Sequence, residues 1–322
     1  MVNSAMLSAM DVLPDHPVTI GRCDPTQDKL VLALAATSWP EEERASRWQA
    51  ISGLLRAGQA ADLVLLAARQ GDKLIAVLLA QVLPGRTAVV WLPQFSTPSE
   101  AEQRRLTGEL HAQLALELVS RGVHLVQALE SCEDRRAAGL LANGGLTHAA
   151  DLLYMAAIVE DLSEQNGPLS LVSEGCDPAN PAAAARLTQL IDRTYVGTLD
   201  CPRIDGLRAT ADVIDGYRAI GQFRPGLWRI FRDQADDMGC LLMSLHPEAN
   251  HAEIVYLALV PEARGRGCGL ELTGYALRLA QQAGCERVVL AVDAANEPAI
   301  RMYAAAGFSQ WDKKAVWVKS LR

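Results

Sequence analysis

Residues 257–270 read LALVPEARGRGCGL, the most informative pattern in the second half of the chain. The apolar run from Leu257 to Val260 predicts a strand, and a helix is predicted after the turn that contains Gly265, Gly267 and Gly269. Glycines let such a turn bring its N–H groups close to a ligand, and a helix N-terminus adds a partial positive charge. The stretch therefore predicts an anion site, to which Arg264 and Arg266 could donate charge-assisted hydrogen bonds.

Several nucleotide sites use a turn of this kind, and the residues distinguish between them. A dinucleotide fingerprint of the form G-x-G-x-x-G finds Leu270 in place of its third glycine. A phosphate-binding P-loop is excluded because no Gly-Lys-Ser/Thr follows. Two interpretations stay open at this point, a tight solvated turn without a ligand and a cradle for the pyrophosphate of coenzyme A.

Two motifs favour the coenzyme A interpretation. Arg264, Gly267 and Gly269 match [QR]-x-x-G-x-[GA] between a strand and a helix. Further on, the pattern N-x-x-A-x-x-x-Y-x-x-x-G-F is matched by Asn296, Ala299, Tyr303, Gly307 and Phe308. In both motifs the chain resembles the GNAT superfamily of N-acetyltransferases, over most of residues 166–322. The resemblance implies an acetyltransferase that uses acetyl-CoA as its co-substrate.

The resemblance also implies which residues hold the co-substrate. In the family, the strand at Leu257, Ala258 and Leu259 splays from its neighbour, and its free backbone groups pair with the pantetheine arm. The pyrophosphate is received by the turn made of Arg264, Gly265, Arg266, Gly267, Cys268, Gly269 and Leu270. Asn296 would contact the pantetheine arm or order the start of its helix. Tyr303 lies two helical turns later on the same face and is the family's usual general acid for the leaving thiol; the alternative is an ordinary core aromatic.

A general base for the amine is predicted at Glu253. Strict strand alternation places Glu253, Val255, Leu257 and Leu259 on one face. Some histone-type members of the family and the mycothiol synthases have a Glu at this strand position. Two alternatives stay open, since Glu253 could be a solvated residue at the strand entry, or Tyr256 could serve instead.

The chain contains an internal repeat. Gly122 and Gly284 each precede a predicted buried strand, Gly145 and Gly307 each follow a short helix, and the members of each pair are 162 residues apart. The polar segment from Leu162 to Pro168 is predicted to be a linker. The predicted domains are therefore residues 1–162 and 166–322.

Each repeat is predicted to belong to the α+β class, with a mixed, largely antiparallel sheet flanked by helices, so that the chain forms two tandem GNAT-type domains. The second repeat is predicted to be catalytic. The first has no glycine or arginine in the segment from Pro93 to Pro98 where the turn should be, and it has Asp134 and Leu141 in place of Asn296 and Tyr303. We therefore expect a degenerate, non-catalytic first half that packs on the second and closes the acceptor pocket, an arrangement similar to that of the mycothiol synthases.

The acceptor is predicted less sharply. In this fold the segment from Tyr195 to Phe223 forms a wall of the acceptor site, and its acids either attract an amine or are solvated, namely Asp200, Asp205, Asp212 and Asp215. The predicted function is transfer of an acetyl group from acetyl-CoA to a primary amine, on a small molecule or a peptide, by direct attack in a ternary complex. The alternative is a non-catalytic acyl-CoA-binding regulatory module. The oligomeric state stays open.

Composition argues against several other classes of protein. A 322-residue chain with 50% hydrophobic and 21% charged residues is typical of globular domains, and its net charge of −8 argues against a nucleic-acid partner. Purely apolar runs such as Leu74 to Ala80 are too short to cross a membrane, and the first twenty residues do not resemble a signal peptide, so we expect a cytoplasmic protein. The seven scattered cysteines predict reduced thiols and no metal site.

Overall fold

The computed structural model describes residues 17–39, 41–97, 99–159, 170–234 and 236–322. Its internal contacts divide the chain into two compact units. The first contains the described residues up to Ala80 together with Trp91–Leu114, and the second contains Gln81–Val90 and Ala115–Arg322. The predicted linker from Leu162 to Pro168 lies outside the described residues, so the domain limits of 1–162 and 166–322 stay predictions.

The first unit is a small antiparallel sheet with helices. Its elements are β1 (Val18–Cys23), α1 (Lys29–Ala35), α2 (Glu41–Arg56), β2 (Leu63–Gln70), β3 (Lys73–Leu83), β5 (Gln94–Phe95) and α3 (Glu100–Val119), of which β3 and α3 each run on into the second unit. Strand β1 pairs with β2, and β5 pairs with β3. Trp39, fully buried, sits among Leu63, Leu65 and Leu79 in the core of this unit.

The second unit carries a longer sheet. Its strands are β4 (Thr87–Val90), β6 (Leu125–Ser131), β7 (Thr147–Ile158), β8 (Val172–Gly175), β9 (Gln222–Asp233), β10 (Asp236–His246), β11 (His251–Leu259), β12 (Arg287–Asp293) and β13 (Ser309–Ser320). Their spatial order is β4-β6-β13-β7-β12-β11-β10-β9-β8. Only the pairs β4–β6 and β11–β12 of this path are parallel. The predicted mixed, largely antiparallel sheet with flanking helices is confirmed.

The last strands of the two repeats are exchanged. Strand β13, from the end of the chain, lies between β6 and β7, while β7 lies between β13 and β12. The register is symmetric under the 162-residue offset, because Arg287 pairs with Ile158 in the same way as Leu125 pairs with Ser320. The repeat seen in the sequence is therefore an approximate twofold symmetry of strand pairing.

Helices cover both faces of the second sheet. They are α4 (Arg135–Asn143), α5 (Pro181–Tyr195), α6 (Thr210–Arg218), α7 (Cys268–Gln282) and α8 (Glu297–Ala305). Apolar residues at helical spacing on α7, namely Leu272, Ala276 and Ala280, pack with Met243 and Ile254 in one core. A second core on the opposite face joins α5 and α6 to β9 and β10. Among the described residues, no helix is long and apolar enough to span a membrane.

Candidate active site

Strands β11 and β12 open a slot in the sheet. Their parallel pairing runs only from His251 opposite Arg287 to Ile254 opposite Leu290. Beyond Ile254, within the part of the chain that the structure describes, no strand pairs with the β12 side of β11. A cavity of about 940 Å³ lies in this opening, and residues of both strands line it, including Leu257, Ala258 and Val292. The strands thus diverge where the family resemblance implies a splay.

The glycine-rich turn forms one end of the cavity. Gly265 and Gly267 have φ values of 72° and 85°, a left-handed conformation that favours glycine, and α7 begins immediately afterwards at Cys268. None of the five backbone N–H groups from Gly265 to Gly269 donates a hydrogen bond to another described residue. These donors and the helix N-terminus suit a pyrophosphate.

Gly269 has an additional packing role. A Cβ atom at this position would lie 2.6 Å from Met302 Sδ, so the absence of a side chain lets α7 approach α8. Of the other residues predicted to hold the co-substrate, Leu259, Leu270 and Asn296 line the cavity. Arg266 is exposed and Cys268 is buried in the core, and neither is among the residues that line it.

Arg264 lines the cavity, but its side chain is engaged with the protein backbone. Its guanidinium donates hydrogen bonds to the carbonyl oxygens of Thr194 at 2.7 Å, Val196 at 2.9 Å, Gly197 at 3.1 Å and Leu259 at 3.1 Å. It therefore joins the end of α5 to the end of β11. A contact between this side chain and a pyrophosphate stays a prediction.

Asn296 and Tyr303 both line the cavity from α8. Asn296 caps the helix, because its Oδ1 accepts a hydrogen bond from the Ala299 N–H at 3.3 Å. Tyr303 is 6% exposed and packs against Phe308, with ring centroids 5.6 Å apart. Burial, with a further contribution from the charge of Asp200, raises the pKa of Tyr303 well above its usual value. Its phenol therefore stays protonated at neutral pH and can donate a proton.

The prediction that Glu253 shares a face with Leu257 and Leu259 is wrong. A β-bulge at Val255 shifts the register between β10 and β11, so the alternation changes there. Ile254 and Leu257 belong to the core below α7 and α8, which leaves Glu253 on the opposite face. Its Oε2 lies 2.8 Å from Nε2 of His246, and Glu253 is not among the cavity-lining residues. Its role as the base stays a prediction.

Three tyrosines form the wall of the cavity opposite α8. Tyr217 stacks on Tyr256 with centroids 5.5 Å apart, and Tyr195 meets Tyr256 edge to face at 6.3 Å. The Tyr256 hydroxyl is hydrogen-bonded to the Thr194 hydroxyl at 2.7 Å. Burial raises the pKa of Tyr195 to about 12 and that of Tyr256 further. Neutral phenols on this wall provide stacking surface and hydrogen-bonding groups.

The four candidate acids of the acceptor wall have different environments. Asp200 and Asp205 line the cavity. Asp212 instead lies 3.3 Å from the Arg86 guanidinium and 3.8 Å from His124, and Asp215 is exposed outside it. Two of the four therefore line the cavity.

Residues of the first repeat hold the loop that carries these two acids, and the sequence did not indicate them. Arg208 donates a hydrogen bond to the Gly85 carbonyl at 2.9 Å, and Arg203 donates one to the His148 carbonyl at 3.0 Å. Ile204 and Leu207 pack on a core made of Leu125, Ala149, Val316 and Val318. Gln127 of β6 lines the cavity. A side chain at Gly85 would clash with the Asp212 carbonyl oxygen, but no pattern in the sequence marked this position.

Comparison with known proteins agrees with this geometry. Residues 206–308 match the model of the acetyltransferase (GNAT) family. Among curated proteins, the mycothiol acetyltransferase of Arthrobacter sp. (strain FB24) is 37% identical over 65 residues, which are 20% of each chain. That of Beutenbergia cavernae is 38% identical over 90 residues, 27% of this chain and 30% of the relative. The matches thus span less than a third of these relatives.

Solved structures extend the likeness to nearly the whole chain at the level of fold. A GCN5-related N-acetyltransferase from Sphaerobacter thermophilus superposes with a TM-score of 0.55 at 16% identity, covering 95% of this chain and 96% of that one. A tandem GNAT protein from the clavulanic acid biosynthesis pathway gives a TM-score of 0.50 at 17% identity, covering 95% and 99%. Residues 206–308 therefore match the acetyltransferase (GNAT) family model, in a chain that has the fold of tandem GNAT proteins.

Proposed function

We propose that this protein transfers an acetyl group from acetyl-CoA to a primary amine by direct attack. The observation that carries the proposal is the slot between β11 and β12, which starts at the five N–H groups of the glycine-rich turn and reaches Tyr303. A ligand in this slot would place an anion at the glycine-rich turn, an extended arm with amide groups along β11, and a reacting group near Tyr303.

The residues fit acetyl-CoA in two respects. Hydrogen bonds to a charged acceptor contribute about 1.5 to 3 kcal/mol each, so three or four donors of the turn suffice to hold a pyrophosphate. The free side of β11 from Val255 to Leu259 offers backbone groups to the pantetheine amides, in the manner of an added strand. When bound, the co-substrate supplies an activated acetyl carbonyl.

Tyr303 would protonate the departing thiolate. Its raised pKa keeps the proton on the phenol until a thiolate forms nearby. Cys201 also lines the cavity, but burial and the charges of Asp200 and Asp293 raise the pKa of its thiol, which makes it a poor nucleophile. Direct transfer to the amine is therefore favoured over an acetylated cysteine.

The acceptor would be a small molecule or a peptide that carries a primary amine. Two carboxylates in the cavity favour a cationic group, and the relatives of matching sequence are named mycothiol acetyltransferases. The first repeat would not catalyse, and its residues Gly85 and His148 would act by holding the acceptor loop. We place the limits of the two domains at residues 1–162 and 166–322.

Thermal unfolding with and without acetyl-CoA tests the donor site. A ligand at 100 times its Kd stabilises the folded protein by about 2.7 kcal/mol, which is a shift of several degrees. Leu270 lines the cavity at the first turn of α7 and is 44% exposed, so a carboxylate there suits the helix terminus but repels a phosphate. We expect Leu270→Glu to fold normally and lose the shift, whereas Leu270→Gln keeps it.

Acetyl transfer itself is measured as release of free thiol with glucosamine, spermidine and alanyl-alanine as probe amines. Amine-dependent thiol release supports the proposal. A thermal shift with no thiol release for any probe amine indicates instead the acyl-CoA-binding regulatory module. Absence of the shift overturns the donor site.

A further inference from the structure

Asp200 and Asp205 are the two described carboxylates that share the cavity with Tyr303, and Asp200 is the one whose charge acts on its phenol. It lies on the loop after α5, whereas Tyr303 reaches the same cavity from α8. The charge of Asp200 is close enough to raise the pKa of the Tyr303 phenol. Glu253, by contrast, lies on the other face of β11 and is engaged by His246. Of Asp200 and Glu253, only Asp200 lines the cavity that contains the proposed acid.

The Asp200 side chain is held in place by a reciprocal contact with Asp293. The Asp293 N–H donates to Asp200 Oδ1 at 3.1 Å, and the Cys201 N–H donates to Asp293 Oδ2 at 3.0 Å. Asp293 is itself buried, and its Oδ1 accepts from the Ala295 N–H at 2.8 Å. Asp200 Oδ2 has no hydrogen-bond partner among the described residues. One oxygen is therefore fixed to the end of β12, and the other is available to a ligand.

The backbone beside Asp200 is strained. Cys201 has a φ of 46°, which is unfavourable for a residue with a side chain. Such strain persists only where surrounding contacts impose it, and here the two hydrogen bonds with Asp293 do so. The loop and its contacts with Asp293 therefore orient one carboxylate oxygen of Asp200 toward the end of β12.

We propose that Asp200 is the catalytic base that receives the proton of the acceptor amine. This rests on the proposed function, because it assigns a role within the same site. The class of acceptor that it selects is a primary amine that arrives as an ammonium ion, since a carboxylate both attracts the cation and removes its proton.

The protons balance over the reaction. An ammonium acceptor first gives one proton to Asp200, which later releases it to solvent. The amine nitrogen then forms a bond to the acetyl carbon, the carbon–sulfur bond breaks, and the electron pair of that bond goes to sulfur. Tyr303 gives its proton to sulfur, Asp200 takes the remaining proton lost by nitrogen, and exchange of that proton with solvent restores both the carboxylate and the phenol. The products are an acetamide, a free thiol and one proton in solution.

Other titratable groups surround Asp200 on several elements. Those that feel its charge are Cys201 beside it, Tyr217 on α6, Tyr256 on β11, Asp293 on β12 and Tyr303 on α8. The cysteine and the tyrosines have raised pKa values and are neutral near pH 7. Partial desolvation by the cavity wall and the charge of Asp293 raise the pKa of Asp200, against the opposing effect of the Asp293 N–H, while the residue itself is exposed to the open cavity.

The test compares three conservative variants of the full chain, with the most active probe amine. Asp200→Asn keeps an oxygen to accept the Asp293 N–H. Glu253→Gln removes the base that the sequence predicts, and Asp215→Asn changes net charge at an exposed position outside the cavity. We expect Asp200→Asn to lower kcat/KM for the amine by about 10²- to 10⁴-fold, with unchanged acetyl-CoA affinity. The loss shrinks as pH approaches the amine's own pKa. The other two variants keep the wild-type pH profile.

A second measurement needs neither ligand nor turnover. The Asp293 amide donates to Asp200, so its ¹⁵N–¹H shift reports the ionisation of that carboxyl group. We expect it to titrate above the usual aspartate value of about 3.9, and the inflection to vanish in Asp200→Asn. Full activity of Asp200→Asn with an unchanged pH profile overturns the inference while leaving the proposed function intact. So does a normal aspartate titration at this amide, or a pH-dependent loss in Glu253→Gln alone.

Discussion

The Arg208 side chain donates a hydrogen bond to the Gly85 carbonyl oxygen, 2.9 Å away and 123 positions earlier in the chain. Arg208 lines the cavity, whereas Gly85 belongs to the repeat that lacks the glycine-rich turn. Burial lowers the pKa of Arg208, yet the guanidinium stays charged at any physiological pH. A residue of the degenerate repeat thus positions a side chain of the proposed acceptor wall.

Replacing Arg208 is expected to weaken acceptor binding selectively. Losing a hydrogen bond from a charged donor costs about 1.5 to 3 kcal/mol, which is about 10- to 100-fold in an equilibrium constant. We expect Arg208→Ala to raise KM for the amine within this range and to leave acetyl-CoA affinity unchanged. Arg203→Ala removes the other loop contact at an exposed position and should have a smaller effect. Equal losses of amine and acetyl-CoA binding would contradict this role.

A substitution at Arg264 distinguishes a structural role of its side chain from a contact with the pyrophosphate. Its four hydrogen bonds to carbonyl oxygens require the fork of a guanidinium, which lysine cannot reproduce. We expect Arg264→Lys to lower the free energy of unfolding by about 2 kcal/mol or more, measured by denaturant titration. If Arg264 instead contacts the pyrophosphate, the same variant keeps its stability and loses affinity for acetyl-CoA.

Tyr303→Phe removes the proposed proton donor and little else. The ring and its contact with Phe308 are retained. We expect kcat to fall by about 10²- to 10⁴-fold with little change in acetyl-CoA affinity, as determined by steady-state kinetics and a thermal shift. Unchanged turnover would mean that another group protonates the thiolate.

Asn296 has a matched control in Asn180. Each asparagine caps a helix through its side chain, Asn296 at α8 and Asn180 at α5, but only Asn296 lines the cavity. We expect both Asn→Ala variants to lose about 1 kcal/mol of stability. An additional loss of acetyl-CoA affinity confined to Asn296→Ala would establish a contact with the pantetheine arm. If both variants bind acetyl-CoA with the same affinity, the role of Asn296 is limited to capping α8.

Cys201→Ala distinguishes direct transfer from an acetylated enzyme. The raised pKa of the thiol leaves little thiolate at neutral pH. We expect the variant to retain amine acetylation, and the intact mass of the wild-type protein to be unchanged after incubation with acetyl-CoA alone. An added acetyl mass that disappears in Cys201→Ala would contradict direct transfer.

Local patterns predicted much of the second repeat. Arg264, Gly267 and Gly269 lie within one turn, and Asn296 and Tyr303 lie on one helix. Short-range sequence patterns are therefore enough to predict their arrangement. Glu253 shows where local reasoning failed, because strict alternation does not reveal a bulge at Val255. Arg208 and Asp293 each contact residues that are distant in the sequence. A single amino-acid sequence contains no pattern that identifies such long-range partners.

The exchange of β7 and β13 has a consequence for how the gene can be shortened. Removal of residues 1–162 would delete β7 and leave β12 with an open edge, the kind of edge that promotes aggregation. It would also take away β6, the outer neighbour of β13. We therefore expect the shortened chain to aggregate or to re-pair β13 with β12, so that the first repeat supports the second sheet whether or not it has any activity of its own.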